Sequence, residues 1–207
     1  MNTVIRNSIF ALGMVIGMQA TAATIIPANL DVDFRNAPWT SGAHGNASYA
    51  DGNTTATAGP NGATLFANDA LDGLGVLGGE IDEIDNQEFL RLDFATAIDI
   101  STVWITDLFA APDGGNNPDG EMGFAQVFFD DATSVVYDFI GNNSDQSNGE
   151  QSFNIAGTGK VSYIKFWAAD YQNNEFSVAG FNVPEPSALI LFGLGLAGLG
   201  AVRRKQA

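Results

Sequence analysis

Residues 113–121 carry the densest set of candidate metal ligands in this 207-residue chain, reading Asp-Gly-Gly-Asn-Asn-Pro-Asp-Gly-Glu. Calcium takes about six to eight oxygens from carboxylates, amides and backbone carbonyls on a tightly turned loop. Asp113, Asn117, Asp119 and Glu121 supply such oxygens, and the glycines allow the turn. The loop is not an EF-hand, because Gly115 stands where the third position of that loop carries Asp or Asn. The same residues also make an ordinary polar turn between two strands. The plain turn is the ordinary reading, and calcium is the one cofactor for which the loop offers ligands. A second acidic cluster, Asp82, Glu83 and Asp85, reads as a solvated turn.

Other catalytic chemistry has few carriers. The sole histidine, His44, sits in Ser41-Gly42-Ala43-His44-Gly45. A Ser-His-Asp triad would have to use it, yet a triad base needs a rigid site and this segment reads as a loop. No Gly-x-Ser-x-Gly elbow exists. The chain has no cysteine, which excludes thiol nucleophiles, cysteine-based zinc sites and disulfides. Acidic residues are plentiful enough for a paired-carboxylate glycosidase, but their abundance singles out no pair. We expect no catalytic residue. Trp39, Trp104 and Trp167 are the aromatic candidates, because an aromatic face packs on the apolar C–H surface of a sugar. On the segment 161–168, Trp167 shares a face with Val161, Tyr163 and Lys165, while Ile164 and Phe166 point to the core. Trp167 is thus the expected ligand-binding side chain.

The elements that must position these residues read as β-strands. Segment 88–94 alternates Leu90, Leu92 and Phe94 against Phe89, Arg91 and Asp93. Segments 102–109, 124–130, 134–140, 161–168 and 176–183 are rich in β-branched and aromatic residues, with Gly180 expected at a bulge. Glycine- and asparagine-rich loops separate them, and no stretch of the domain has a helical period. The expectation is an all-β, jelly-roll-like sandwich over 24–182, one domain by length. The segment 42–62 is poor in large apolar residues and reads as a long surface loop or a poorly ordered one.

Charge constrains the partners. Of 24 acidic side chains, 23 lie in this domain against four basic ones, Arg35, Arg91, Lys160 and Lys165, leaving a net charge near −19. Such a surface repels nucleic acid and anionic lipid. It also keeps the domain soluble, and bound divalent cations would relieve its self-repulsion.

Both ends of the chain carry addresses. Residues 1–23 hold one charged side chain, Arg6, then a short apolar run and Ala20-Thr21-Ala22, the pattern of a signal peptide for the Sec route. At the other end, Pro184-Glu185-Pro186 breaks the chain before an uncharged apolar run, 188–202, and the basic cluster Arg203, Arg204 and Lys205. As a helix this run spans roughly 22 Å, short of a hydrocarbon core of about 30 Å, and its basic end should stay cytoplasmic.

The C-terminal pattern, 183–207, resembles the PEP-CTERM sorting signal of Gram-negative bacteria. That resemblance implies a transient inner-membrane anchor, recognition by an exosortase-type protease, removal of the tail and delivery to the cell surface or medium of an exopolysaccharide producer. Asp72-Gly73-Leu74-Gly75-Val76 and Phe176-Ser177-Val178-Ala179-Gly180-Phe181 resemble patterns of PEP-CTERM passenger domains, which implies a galactose-binding-like sandwich. The functional expectation is a non-catalytic surface or matrix module associated with exopolysaccharide. The alternatives are a carboxylate glycosidase and a structural calcium-binding envelope protein.

Overall fold

The computed structural model describes residues 26–67, 71–78, 83–85, 87–110, 120–141, 149–157, 159–170 and 174–184. These residues form an all-β sandwich. One antiparallel sheet has four strands in the order β1 (Val32–Asp33), β12 (Ser177–Asn182), β7 (Thr102–Thr106) and β10 (Gln151–Asn154). The other has six, in the order β2 (Ser48–Asp51), β3 (Thr54–Gly59), β6 (Phe89–Ile98), β11 (Val161–Ala168), β8 (Met122–Phe129) and β9 (Ser134–Ile140). A two-stranded ribbon, β4 (Thr64–Phe66) with β5 (Gly75–Leu77), and a four-residue helix, α1 (Trp39–Gly42), complete the described elements.

Alternation builds the core. On β8, Gly123, Ala125, Val127 and Phe129 are buried while the residues between them are half-exposed. Leu90, Leu92 and Phe94 of β6 and Ile164 and Phe166 of β11 point inward beside them. The four-stranded sheet answers with Val103, Ile105, Val178 and Phe181, all in the same apolar cluster. Phe94 and Phe181 meet edge-on across the two sheets with ring centroids 5.5 Å apart. Each such side chain contributes about 1.5–3 kcal/mol on burial.

Two segments depart from the sequence reading. Segment 42–62 is neither a long loop nor unordered: it contains the β2–β3 hairpin, closed by Gly52 and Asn53 with Gly52 at φ 56°. β3 lies inside the six-stranded sheet, where Ala56 and Ala58 face the core opposite Leu92 and Leu90. Small side chains suffice there because the leucines opposite fill the space. Val161 is buried rather than sharing the outer face of Trp167, because β11 slips register between Val161 and Tyr163. The bulge expected at Gly180 is present: β12 shifts against β7 between Val178 and Gly180. Gly180 has φ 151°, and a Cβ there would lie 2.1 Å from the Val32 carbonyl oxygen.

Antiparallel register gives the sandwich two ends. At one end, Ile98, Phe129 and Val161 stand together, with Thr102 and Asn182 beside them. The opposite end gathers the start of β6, the ends of β7 and β11 and the start of β8. Among the described residues no helix is long and apolar enough to cross a membrane; the expected span, 188–202, lies outside them.

Candidate functional site

The outer face of the six-stranded sheet is built by the side chains that alternation leaves outside. Trp167 of β11 stands opposite Phe124 of β8, and their rings stack at 5.4 Å with 21° between planes. Four residues back along β11, Tyr163 stands opposite Phe128, stacked at 4.1 Å and 16°. Between these two aromatic rungs lies Lys165, opposite Arg91 of β6 on one side and Gln126 of β8 on the other. The Arg91 guanidinium sits 4.0 Å over the Tyr163 ring and pairs with Asp93 at 2.5 Å, which raises its pKa further. The Lys165 ammonium sits 4.4 Å over the Phe89 ring.

Trp167 is half-buried and borders a depression of about 380 Å³ that Gln87, Glu88, Phe89, Lys165 and Asp170 also line. This puts Trp167 on the outward face with Tyr163 and Lys165, as the alternation of the segment indicated, and adds Phe124 and Phe128, which the sequence reading left out. Their signal was the period-two pattern of β8. The partnership of the rungs follows from strand pairing, which one strand's sequence does not contain. The depression holds two carboxylates. Glu88 is buried and one of its oxygens accepts the Asp85 N–H at 3.3 Å; Asp170 is exposed.

The other tryptophans serve the fold. Trp39 is 2 % exposed and meets Phe34 and Tyr49 edge-on. Trp104 donates its indole N–H to the Asn182 side-chain oxygen at 2.9 Å. His44 is exposed, with its ring edge-on to Phe66 at 5.0 Å.

Glu121 lies at the same end of the sandwich as the depression. It is 1 % exposed, and one carboxylate oxygen accepts the Phe109 N–H at 2.5 Å. Burial pushes its pKa up to about 8; the Phe109 bond opposes this and the nearby Glu175 adds to it. The next residue's backbone is held too, since the Met122 N–H donates to the Asn174 side chain at 2.8 Å. Asp113, Asn117 and Asp119, the other expected calcium ligands, lie outside the described residues. Among the described residues no three acidic or histidine side chains converge as a metal site requires. The second acidic cluster is not a solvated turn where it is described. Glu83 and Asp85 are half-buried, and Ile84 between them is a core residue whose N–H donates to the Phe176 carbonyl. That single apolar residue pulls its acidic neighbours against the body.

At the far end, Asn182 is fastened from three directions. Trp104 holds its side chain, the Ser101 N–H and hydroxyl donate to its carbonyl at 2.9 and 3.1 Å, and its amide reaches Asp31 at 3.5 Å. Asp31 also accepts the Val183 N–H at 2.7 Å. Pro184 borders a second depression at this end, of about 440 Å³, with Asp99, Ser101 and Asn154. Glu185, Pro186 and the basic cluster Arg203, Arg204 and Lys205 lie outside the described residues.

Residues 182–205 match the PEP-CTERM protein-sorting motif. The match supports an exported, exosortase-sorted protein, anchored transiently in the membrane and then delivered to the surface. No curated protein matches the chain. Among solved structures, the lectin domain of lectinolysin complexed with Lewis B antigen aligns over 70 % of this chain and 95 % of that one, at 12 % identity and a TM-score of 0.33. At that score the likeness carries no argument.

Proposed function

We propose that the sandwich is a non-catalytic module that holds exopolysaccharide at the cell surface or in the extracellular matrix. The observation that carries this reading is Trp167, half-exposed on the outer sheet face, stacked on Phe124 and bordering a depression. A stacked aromatic pair offers a sugar ring a rigid apolar floor that needs no ordering on binding. Single contacts of this kind are weak, and a polymer engages several at once. The sorting motif supports the compartment in which such a polymer would be met.

Retention of the protein on the exopolysaccharide of its own host tests the reading. The wild-type chain should be retarded on immobilised polymer. Trp167→Ala should lose most of that retention while keeping its melting temperature within a few degrees, because the side chain lies on the outer face. Equal retention of the variant would remove Trp167 from the site. A polymer that is not retained but is shortened on long incubation would replace the binding module with a glycoside-active enzyme, and the carboxylates of the depression, Glu88 and Asp170, would be the first to test.

A bound calcium ion is the second part of the proposal. The observation that favours it is the burial of Glu121 beside another carboxylate, an arrangement that a cation would stabilise. Glu121 would supply one oxygen, and Asp113, Asn117 and Asp119 the others.

A further inference from the structure

We infer that the outer face of the six-stranded sheet is built for a carboxylate-bearing glycan, with Lys165 and Arg91 meeting the carboxylate between the two aromatic rungs. This rests on the glycan reading above and specifies the polymer's charge.

The charge arrangement carries the inference. The domain has only four basic side chains among 23 acidic ones, and two of the four stand directly opposite each other at the centre of this face. Like charges directly opposite on neighbouring strands destabilise a sheet. Elsewhere the bases are placed beside carboxylates. Arg35 is bridged to Asp33 at 2.8 Å, and Lys160 lies 3.9 Å from Asp99. Arg91 takes Asp93, whereas Lys165 has no carboxylate within 4.0 Å among the described residues. An anion settling against Lys165 and Arg91 would relieve this repulsion.

Spacing supports a sugar as the carrier of that anion. Trp167 and Tyr163 are four residues apart, about 13 Å along the strand, with Lys165 midway and on the same side. A short stretch of polysaccharide laid along β11 would pack an apolar face against the Trp167/Phe124 rung and run over the outer ring edges of the Tyr163/Phe128 rung, since Phe128 and Arg91 cover the two faces of Tyr163. Its carboxylate would then fall near the ammonium. The negative groups facing the same surface are Asp93, already engaged by Arg91, and Asp138, opposite Phe124 toward the sheet edge; Glu88 and Asp170 line the depression at the Trp167 end. Around Lys165 the two cations thus meet two facing carboxylates, a local balance in a domain whose net charge is near −19. The repulsion from more distant carboxylates is screened beyond about 8 Å at physiological salt.

The test uses the full-length chain in mild detergent, with a chelator present so that calcium cannot bridge anions. Immobilised polygalacturonate and a neutral galactan are the two ligands, and the host polymer is the reference. Wild-type protein should be held by polygalacturonate more firmly than by galactan, and salt should weaken the first interaction. Lys165→Gln should lower polygalacturonate affinity about five- to tenfold without lowering the melting temperature or changing the retention on galactan, and Lys165→Arg should restore it. The inference is overturned if Lys165→Gln binds polygalacturonate as wild type does. It is also overturned, with the glycan reading left standing, if galactan or the host polymer is retained and polygalacturonate is not. Loss of all three polymers overturns both.

Discussion

A glutamate buried beside a second carboxylate avoids an uncompensated charge either by keeping its proton or by taking up a cation. For Glu121, burial first and Glu175 second push the pKa from an ordinary 4.5 to about 8. Between those two values the folded protein holds a proton that the unfolded chain has released. Stability contributed by this group is therefore full below about pH 4.5 and is lost as pH rises through about 8. In a chelator, the melting temperature of the wild type should fall across that window relative to Glu121→Gln, which cannot ionise. Millimolar calcium should restore the loss at pH 8, since a ligand bound only to the native state stabilises it, and Asp119→Ala should blunt that gain. Parallel melting curves for wild type and Glu121→Gln at every pH would remove the buried-acid account. A calcium effect no larger than that of equal ionic strength would remove the cation. The composition of the 113–121 loop singled out Glu121 as a candidate ligand. Its burial was not legible, because that depends on Phe109 and Glu175, brought together from the ends of other elements.

Strands with large alternating side chains announced themselves: β9 and β11 fall at the expected bounds, and β6, β8 and β12 within a few residues of them. β3 did not, because Thr-Thr-Ala-Thr-Ala-Gly lacks the bulk that marks a core strand. Its inward alanines are small because Leu90 and Leu92 occupy the opposing space. β10 and the β4–β5 ribbon were missed as well, being short segments whose place is decided by their partners. Gly180 was legible as an interruption, and its φ of 151° gives the reason. Only glycine adopts that backbone at low cost, and a Cβ would strike the Val32 carbonyl of β1. Gly180→Ala should therefore destabilise the fold by about 2–4 kcal/mol, read as a lower urea midpoint with an unchanged slope. A midpoint within error of the wild type would mean that β1 yields freely and does not pin the bulge.

On the scale of the whole molecule, the sorting motif and the sandwich meet without a spacer. The motif match opens at Asn182, which is also the last residue of β12 and is held by Trp104, Ser101 and Asp31. The mature protein recovered from surface or medium should lack residues 188–207. Mass spectrometry that found an intact C-terminus on most molecules would contradict the processing. Before that cut, the mooring has almost no slack. Five residues, 183–187, separate Asn182 from the apolar run, so Asn182 and Ala188 are six chain steps and at most about 22 Å apart. β11 alone runs about 23 Å from the moored end to the Trp167 end. The leash is shorter than the body it holds, so the domain cannot turn over and lay its Trp167 end on its own membrane. A lipid-borne photocrosslinker should label the surroundings of Asp99 and Ser101 and spare Gln87 and Asp170; the reverse pattern would show that the chain pays out more length than the sheet allows. Glycan capture would then begin on the side facing away from the membrane while the protein is still tied to it, and the protease would set free a module already turned toward its polymer.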